Sequence, residues 1–109
     1  MHYHPAPTAP PQSLSGFAQG SRDIMLMWSP PPPIHINGIL LYYVVRVTER
    51  ETDHLQSFVA AQQSLLVGDL HPHYHYDCMV AAFTVGEGNF TNNFTVQTAE
   101  ERKLSWLMC

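Results

Sequence analysis

Apolar and polar positions alternate along the stretch from Ile24 to Ser29 with the period of an extended strand. Ile24, Leu26 and Trp28 fall on one side of the chain, and Met25 and Met27 fall on the other. Because successive side chains of a strand point to opposite faces, the first set is predicted to lie in a core. The two methionines then face outward, where they either form a contact surface or lie under a neighbouring loop.

A second alternating stretch begins after a predicted turn at Pro72. Tyr76, Cys78 and Val80 fall on one side of this stretch, so they are predicted to point inward from a strand. Pro72 fixes one backbone dihedral and lacks a donor, which places the turn before the strand. Tyr76 would bury its ring while its hydroxyl needs a partner, which the turn after Leu70 can supply.

The most strand-prone run of the chain follows the turn signal Asn37-Gly38 and extends to Val47. Its alternation separates two faces. The inward set is Tyr43, Val45 and Val47, and the outward set is Tyr42, Val44 and Arg46.

Four weaker strands complete the pattern. A short edge strand opens at Leu14 and is weakened by Gly16 and Gly20 on either side of Phe17 and Ala18, and a polar edge strand spans 54–60. Two more strands, over 64–70 and 90–98, come before and after the strand that contains Tyr76. A charged turn is predicted over 49–53 and a hairpin turn over 85–89. Seven short strands and no convincing helix before residue 99 predict an all-β sandwich.

Several of these motifs together resemble the fibronectin type III domain. They are the Leu-x-Pro-x-x-x-Tyr corner ending at Tyr76, the Leu-x-Trp-x-Pro-Pro element around Trp28, the Asn-Gly signal before the third strand, and Gly86-x-Gly88. Gly16 departs from the pattern, since a branched apolar residue is usual there, and Tyr74 replaces a common threonine.

The resemblance implies a seven-stranded immunoglobulin-like β-sandwich over residues 10–98, preceded by an extended lead-in (1–9) and followed by a tail or linker (99–109). The expected structural core is Trp28, Tyr43, Val45, Leu70, Tyr76 and Val80. The family occurs largely in extracellular receptors, adhesion proteins and matrix proteins.

Composition limits the partners. The chain has 109 residues, enough for one domain, and a formal charge of −4 with only five Lys and Arg. A nucleic-acid partner is not expected, because the sequence has no stripe of basic residues. Membrane insertion is not expected either, because the sequence has no apolar run long enough for a membrane helix. Cys78 is predicted to be a buried thiol, whereas the terminal Cys109 would be exposed and able to link two chains, which leaves the oligomeric state open.

Catalytic chemistry is not indicated. The sequence has no nucleophile elbow, phosphate loop or metalloprotease motif, so neither an enzyme nor a cofactor is expected. His71, His73 and His75 are spaced by two, as in a weak Zn or Cu site, but Pro72 interrupts their alternation. Exposed turn histidines, a weak metal site and a pH-sensing contact therefore remain as alternatives.

Two sequons mark Asn89 and Asn93 as acceptors for N-linked glycans in the secretory pathway. Asn89 lies in a predicted turn, and Asn93 lies in or near the last strand.

The predicted protein-interaction residues are Tyr42, Val44, Arg46 and Met79, on the outer face of the sheet that holds the third and sixth strands. Apolar side chains beside an arginine are typical of protein interfaces, yet such pairs also stabilise a solvated sheet. The predicted function is a non-catalytic extracellular spacer and protein-binding module of a secreted or single-pass membrane protein. An intracellular module of a scaffold or muscle protein is the alternative, and a histidine metal binder is a distant one.

Overall fold

Seven strands and one short 3-10 helix form the chain in this computed structural model, which describes residues 6–101. The strands are β1 (Gln12–Ala18), β2 (Ile24–Ser29), β3 (Tyr42–Glu49), β4 (His54–Ala60), β5 (Ser64–Val67), β6 (His75–Phe83) and β7 (Phe94–Gln97). The 3-10 turn, η1, spans Pro33–His35 between β2 and β3.

Two antiparallel sheets make up the layers of the molecule. β1, β2 and β5 form a three-stranded sheet in the order β1-β2-β5, and the other strands form a four-stranded sheet in the order β4-β3-β6-β7. This architecture confirms the predicted immunoglobulin-like β-sandwich.

The core lies between the sheets. It contains each of the six residues predicted for it, together with Ile24, Leu26, Val47 and Cys78. The Trp28 and Tyr43 rings meet edge to face across the sheets, with centroids 5.4 Å apart. Burial raises the pKa of the Cys78 thiol to about 12, so Cys78 is a buried, un-ionised side chain as predicted.

The tyrosine corner forms as expected. The backbone N–H of His71 donates to the Tyr76 hydroxyl oxygen at 2.8 Å, which ties the turn to the first residues of β6. Leu70 is buried under this turn. The turn therefore supplies the hydroxyl partner that the sequence required.

Four strands have other ends than predicted, the first of them β1, which begins at Gln12 rather than Leu14. β5 ends at Val67 because the chain turns through Asp69, whose φ is +57°. β3 begins at Tyr42 rather than directly after the Asn37-Gly38 turn. β7 begins at Phe94 because the pair Val80 and Thr91 keeps only one backbone bond, from the Thr91 N–H to the Val80 carbonyl, while the Val80 N–H bonds to the Thr91 side-chain hydroxyl.

The described part of the lead-in packs against two loops. The Thr8 N–H donates to the His35 carbonyl at 2.9 Å, and the Asn89 side chain donates to the Thr8 carbonyl at 3.1 Å. Residues 1–5 and the tail from 102 onwards, including Cys109, lie outside the described residues. Within 6–101, the structure has no helix with the length and apolar character needed to cross a membrane.

Candidate interaction surfaces

The four predicted interaction residues meet on the outer face of the four-stranded sheet. We call Tyr42, Val44, Arg46 and Met79 the outer patch. Arg46 and Met79 are direct partners across the β3–β6 ladder, and Tyr42 and Val44 occupy alternate positions before Arg46 on β3. The alternation of the sequence therefore placed these side chains on one face.

The chain itself covers one end of the outer patch. The Tyr42 ring stacks on Phe83 with centroids 4.6 Å apart and planes 11° from parallel. The Arg46 guanidinium lies 4.4 Å from the centroid of the Phe90 ring and 3.6 Å from a Glu87 oxygen. These contacts hold Tyr42 and Arg46 in fixed positions, and they partly neutralise the arginine.

An apolar strip beside the outer patch stays open to solvent. Val59 of β4 is the ladder partner of Val44 and is 66% exposed. Leu55 lies further along the same outer face, beyond the exposed Ser57 that pairs with Arg46, and is also exposed, whereas Phe58 packs inward as the anchor of β4. The outer patch therefore continues onto the edge strand as two branched apolar side chains with one serine between them.

A second apolar group lies at the end of the sandwich where β3 begins and β6 ends. We call Ile39, Leu41 and Val85 the loop-end cluster. All three are exposed, Ile39 to 80%, and a groove of about 470 Å³ lies between Gly38, Ile39, Leu41, Thr84 and Val85. The sequence reasoning missed this cluster because it assigned residues 39–41 to the third strand, whereas they precede β3.

The three histidines of the corner do not converge. His73 has φ of +61°, which breaks the alternation that would have aligned them. Each contacts a different glutamate: His71 Nδ1 lies 2.8 Å from Glu49, His75 Nδ1 lies 2.8 Å from Glu51, and His73 Nε2 lies 3.8 Å from Glu100. Within residues 6–101, no three His, Cys, Asp or Glu side chains come together in a way that could hold a metal ion.

Glu49 is the unexpected member of this region. The sequence placed it in a charged turn, but it is the last residue of β3 and is only 7% exposed. Its carboxylate accepts hydrogen bonds from the Thr52 hydroxyl at 2.6 Å and the Tyr76 hydroxyl at 3.2 Å. The Thr52 bond, with those from His71 and Tyr76, lowers the pKa of Glu49 despite its burial.

The Tyr76 hydroxyl thus connects the corner to a buried carboxylate. Burial, with the nearby Glu49 charge, raises the pKa of Tyr76 to about 12. At neutral pH the hydroxyl is protonated and donates to Glu49 while it accepts from His71. This arrangement is structural, since each polar atom in it has a fixed partner.

A second carboxylate is held on the outer face of β6. Asp77 accepts hydrogen bonds from Arg50 at 2.7 Å and from the Thr95 hydroxyl at 2.6 Å. The Arg50 hydrogen bond is the main reason that the pKa of Asp77 is lowered. Asp77 therefore belongs to a cross-strand polar network and is not a free acidic group on the outer patch.

Both sequon asparagines are exposed. Asn89 lies in the loop between β6 and β7, and Asn93 lies directly before β7. Asn93 lines a groove together with Pro10, Pro11 and Leu14.

Comparison with known sequences finds one family. The sequence profile of the fibronectin type III domain matches residues 9–97. The chain is 42% identical over 84 residues to "Roundabout homolog 2" of Homo sapiens, a match that covers 72% of this chain and 6% of that protein. It is 35% identical over 98 residues to "Neogenin" of Homo sapiens, covering 86% of this chain and 7% of that protein.

Another relative carries an enzyme's name. The chain is 33% identical over 98 residues to "Tyrosine-protein phosphatase Lar" of Drosophila melanogaster, a match covering 87% of this chain and 5% of that protein. The matched segment thus accounts for 4–7% of the length of such relatives.

Solved structures share the fold. The FN5 domain of Drosophila Lar aligns over 85% of this chain and 100% of its own, with a TM-score of 0.69 and 24% identity. A chain of titin domains aligns over 87% of this chain and 33% of its own, with a TM-score of 0.76 and 17% identity.

Proposed function

Because this chain belongs to the fibronectin type III family, we propose that it is a non-catalytic extracellular module that binds other proteins and spaces neighbouring domains in a multi-domain cell-surface receptor or adhesion protein. Its sequence relatives are multi-domain receptors and adhesion proteins. Those with phosphatase names share only this small part of their length with the chain, which supports a role separate from catalysis.

One observation carries the binding role. In the outer patch, a tyrosine and an arginine that the chain itself holds in place lie beside apolar side chains that are exposed to solvent. Tyr42 and Arg46 are fixed by Phe83 and Phe90, so a partner would not have to immobilise them. Val59 and Leu55 extend the patch as exposed apolar area. Tyrosine and arginine are among the side chains that contribute most to binding at protein interfaces, where neighbouring apolar contacts exclude water from them.

The partner that fits this surface is a protein with an apolar projection and hydrogen-bond acceptors at its margin. The apolar projection would cover Val44 and Val59, and the acceptors would meet the Tyr42 hydroxyl and the guanidinium of Arg46. Glu87 already lies beside Arg46, so a strongly acidic partner would meet repulsion there.

A binding measurement tests this surface. The purified chain, labelled with a fluorophore, is added to intact cells that produce the parent protein, and bound chain is measured by flow cytometry over a concentration series. We expect saturable binding that is weakened at least tenfold by Val59→Asp, since a charge there must be desolvated against the partner. Gln62→Asp, an exposed change of equal charge in the loop before β5, is the matched control.

Val59 is exposed on an edge strand, so its substitution is compatible with the fold, and unchanged thermal unfolding would verify this. Binding by Val59→Asp equal to that of the unaltered chain would contradict the outer patch as the binding surface. Absence of saturable binding up to 100 μM would contradict the binding role itself.

The extracellular location is supported by the two exposed sequons and by the relatives. Asn89 is expected to carry a glycan because it lies in an exposed loop, and Asn93 is expected to be available because it precedes the strand. The Asn89 side-chain nitrogen has two protons, and its hydrogen bond to Thr8 uses one, so a glycan can replace the other.

Mass spectrometry of the parent protein from its native cells tests this location. Peptides that contain Asn89 or Asn93 should carry a glycan mass that is removed by an amidase specific for N-linked glycans. Unmodified asparagine at both positions would contradict the secretory location and favour the intracellular alternative. The likeness to titin domains, at 17% identity, supports the fold alone and does not favour that alternative.

A further inference from the structure

The three-stranded sheet contains no charged side chain. The strands β1, β2 and β5 consist of Gln-Ser-Leu-Ser-Gly-Phe-Ala, Ile-Met-Leu-Met-Trp-Ser and Ser-Leu-Leu-Val. The four-stranded sheet differs, since its strands carry Arg46, Glu49 and Asp77. The difference matters because a solvated antiparallel sheet normally alternates apolar residues inside with polar residues outside.

The outward side chains of this sheet form two rows across its strands. Phe17, Met25 and Leu66 are successive ladder partners and make a wholly apolar row. The next row contains Met27 between two serines. We call Ser15, Phe17, Met25, Met27, Ser64 and Leu66 the uncharged face.

The uncharged face is open to solvent at both edges. Phe17 on the edge strand β1 is 50% exposed, and Leu66 on the edge strand β5 is 51% exposed. Met27, in the centre of the second row, is also exposed. A contiguous apolar row bounded by short polar side chains is a surface that gains free energy when it is covered.

Charge limits what covers this face. The chain has nine Asp and Glu against five Lys and Arg, and none of these residues lies on the three strands. A second copy can therefore approach through the uncharged face without placing like charges opposite each other. The outer patch instead carries Arg46 with Glu87 beside it, so covering that surface would desolvate charged groups.

The rows are also self-complementary. A twofold axis parallel to β2 exchanges the two edges of the sheet, so Phe17 of one copy lies opposite Leu66 of the other. Met25 and Met27 then lie opposite themselves, and Ser15 lies opposite Ser64. A large ring faces a smaller aliphatic side chain, with adaptable methionines at the centre.

We propose that the uncharged face is a self-association surface, on which a second copy of this chain packs sheet to sheet about a twofold axis along β2. The inference goes beyond the proposed function and does not depend on the location of the protein. Three strands of seven, six and four residues, ~5 Å apart, present a face of about 300 Å². This is well below the ~800 Å² per partner of a stable interface, so the association is weak in solution.

Weak contacts of this kind act when many copies are held together. Wherever copies are tethered side by side, the effective concentration of each copy rises, so the same contact contributes to clustering. In dilute solution the chain is expected to be mainly monomeric, with dimers forming at high micromolar to millimolar concentration.

Sedimentation equilibrium of the chain from 20 μM to 2 mM, with reducing agent to prevent disulfides through Cys109, tests the proposal. We expect the average mass to rise with concentration, and Met27→Lys to weaken association at least tenfold because it places two lysines face to face. Asn92→Lys, an exposed change in the loop between β6 and β7, should leave association unchanged.

A charge-exchange pair tests the axis. Phe17→Lys and Leu66→Glu should each associate poorly alone, whereas an equimolar mixture should recover association because the twofold axis brings these positions together. Near-ultraviolet circular dichroism verifies that each variant is folded. Recovery in this mixture cannot result from altered stability of either variant.

Three results would overturn the proposal. The first is a chain that stays monomeric up to 2 mM, which would show that the uncharged face does not bind a second copy. The second is Met27→Lys associating as the unaltered chain does, and the third is a mixture that fails to recover. None of these results bears on cell binding through Val59, so the two proposals fail independently.

Discussion

At the scale of single residues, the Glu49 carboxylate determines how well the tyrosine corner is held. It is buried and accepts from the hydroxyls of Thr52 and Tyr76 and from His71 Nδ1. Glu49→Gln keeps one acceptor oxygen but turns an N–H₂ group toward these donors. We expect unfolding by urea to show a loss of about 1–3 kcal/mol, the usual cost of leaving buried polar groups unpaired.

Glu51→Gln is the matched control. Glu51 accepts from the backbone and ring of His75 at the exposed end of the same strand pair, so its loss should change stability far less. Equal losses for the two variants would contradict the role assigned to the buried carboxylate.

Glu49 also illustrates what the sequence could predict at this scale. Tyr43, Val45 and Val47 were assigned inward by alternation, and the same alternation continued by two residues points Glu49 inward. A charged side chain ahead of Arg50-Glu51-Thr52 nevertheless favours a turn. Its burial depends on hydrogen bonds from Thr52, His71 and Tyr76, and a period of two says nothing about partners that lie far along the chain.

At the scale of elements, Gly16 determines how closely β1 approaches β2. A Cβ atom placed on Gly16 would lie 2.7 Å from Leu26 Cδ2 and 2.8 Å from the Met25 carbonyl oxygen. Leu26 and Val96 therefore occupy the space that a branched residue fills in the family pattern. The departure noted in the sequence is thus compensated by neighbouring side chains rather than by a void.

Gly16→Ala is expected to destabilise the domain. Alanine restricts the unfolded chain and would gain about 0.5–1 kcal/mol in a strand, but overpacking costs about 1–3 kcal/mol, and here a backbone oxygen must move. Thermal unfolding followed by circular dichroism should show a lower Tm than the unaltered chain. Ser15→Ala, an exposed neighbour on β1, should leave the Tm nearly unchanged, and a raised Tm for Gly16→Ala would refute the packing argument.

Strand ends were predicted less well than strand faces. The faces of β2, β3 and β6 follow from alternation because burial selects apolar residues at every second position. The start of β7 does not, since the Thr91 hydroxyl replaces a backbone partner and Phe90 turns over Arg46. A side chain that takes the place of a backbone hydrogen-bond partner leaves no periodic pattern in the sequence.

At the scale of the whole molecule, the sandwich was predictable and the surfaces only partly so. Trp28 and Tyr76 fix the two layers through motifs that are local in the sequence, and both are buried as expected. The extent of the outer patch depends on Val59, and the loop-end cluster on irregular segments, so both require the assembled fold. The uncharged face needed the β1-β2-β5 register, since its methionines alone are explained as well by cover under a neighbouring loop, the commoner case, as by a contact surface.

The stability of the whole domain is expected to fall with acid. The pKa values of Glu49 and Asp77 are lowered by hydrogen bonds in the folded state, so the unfolded chain binds more protons once the pH approaches their ordinary values of about 4. Their contribution is complete above about pH 5 and is lost as the pH falls through the lowered values. Urea unfolding between pH 6 and 3 should show this decline.

Glu49→Gln should lose stability less steeply than the unaltered chain over the same range, by at most about 1.4 kcal/mol per pH unit, because one carboxylate no longer takes up a proton on unfolding. Asp77→Asn should also flatten the profile, since the Arg50 and Thr95 hydrogen bonds hold its carboxylate ionised. If the unfolding free energies of all three proteins fell in parallel with pH, other carboxylates would cause the loss of stability in acid. The buried hydrogen bonds around Tyr76 would then contribute to stability in a way that does not depend on the ionisation of Glu49.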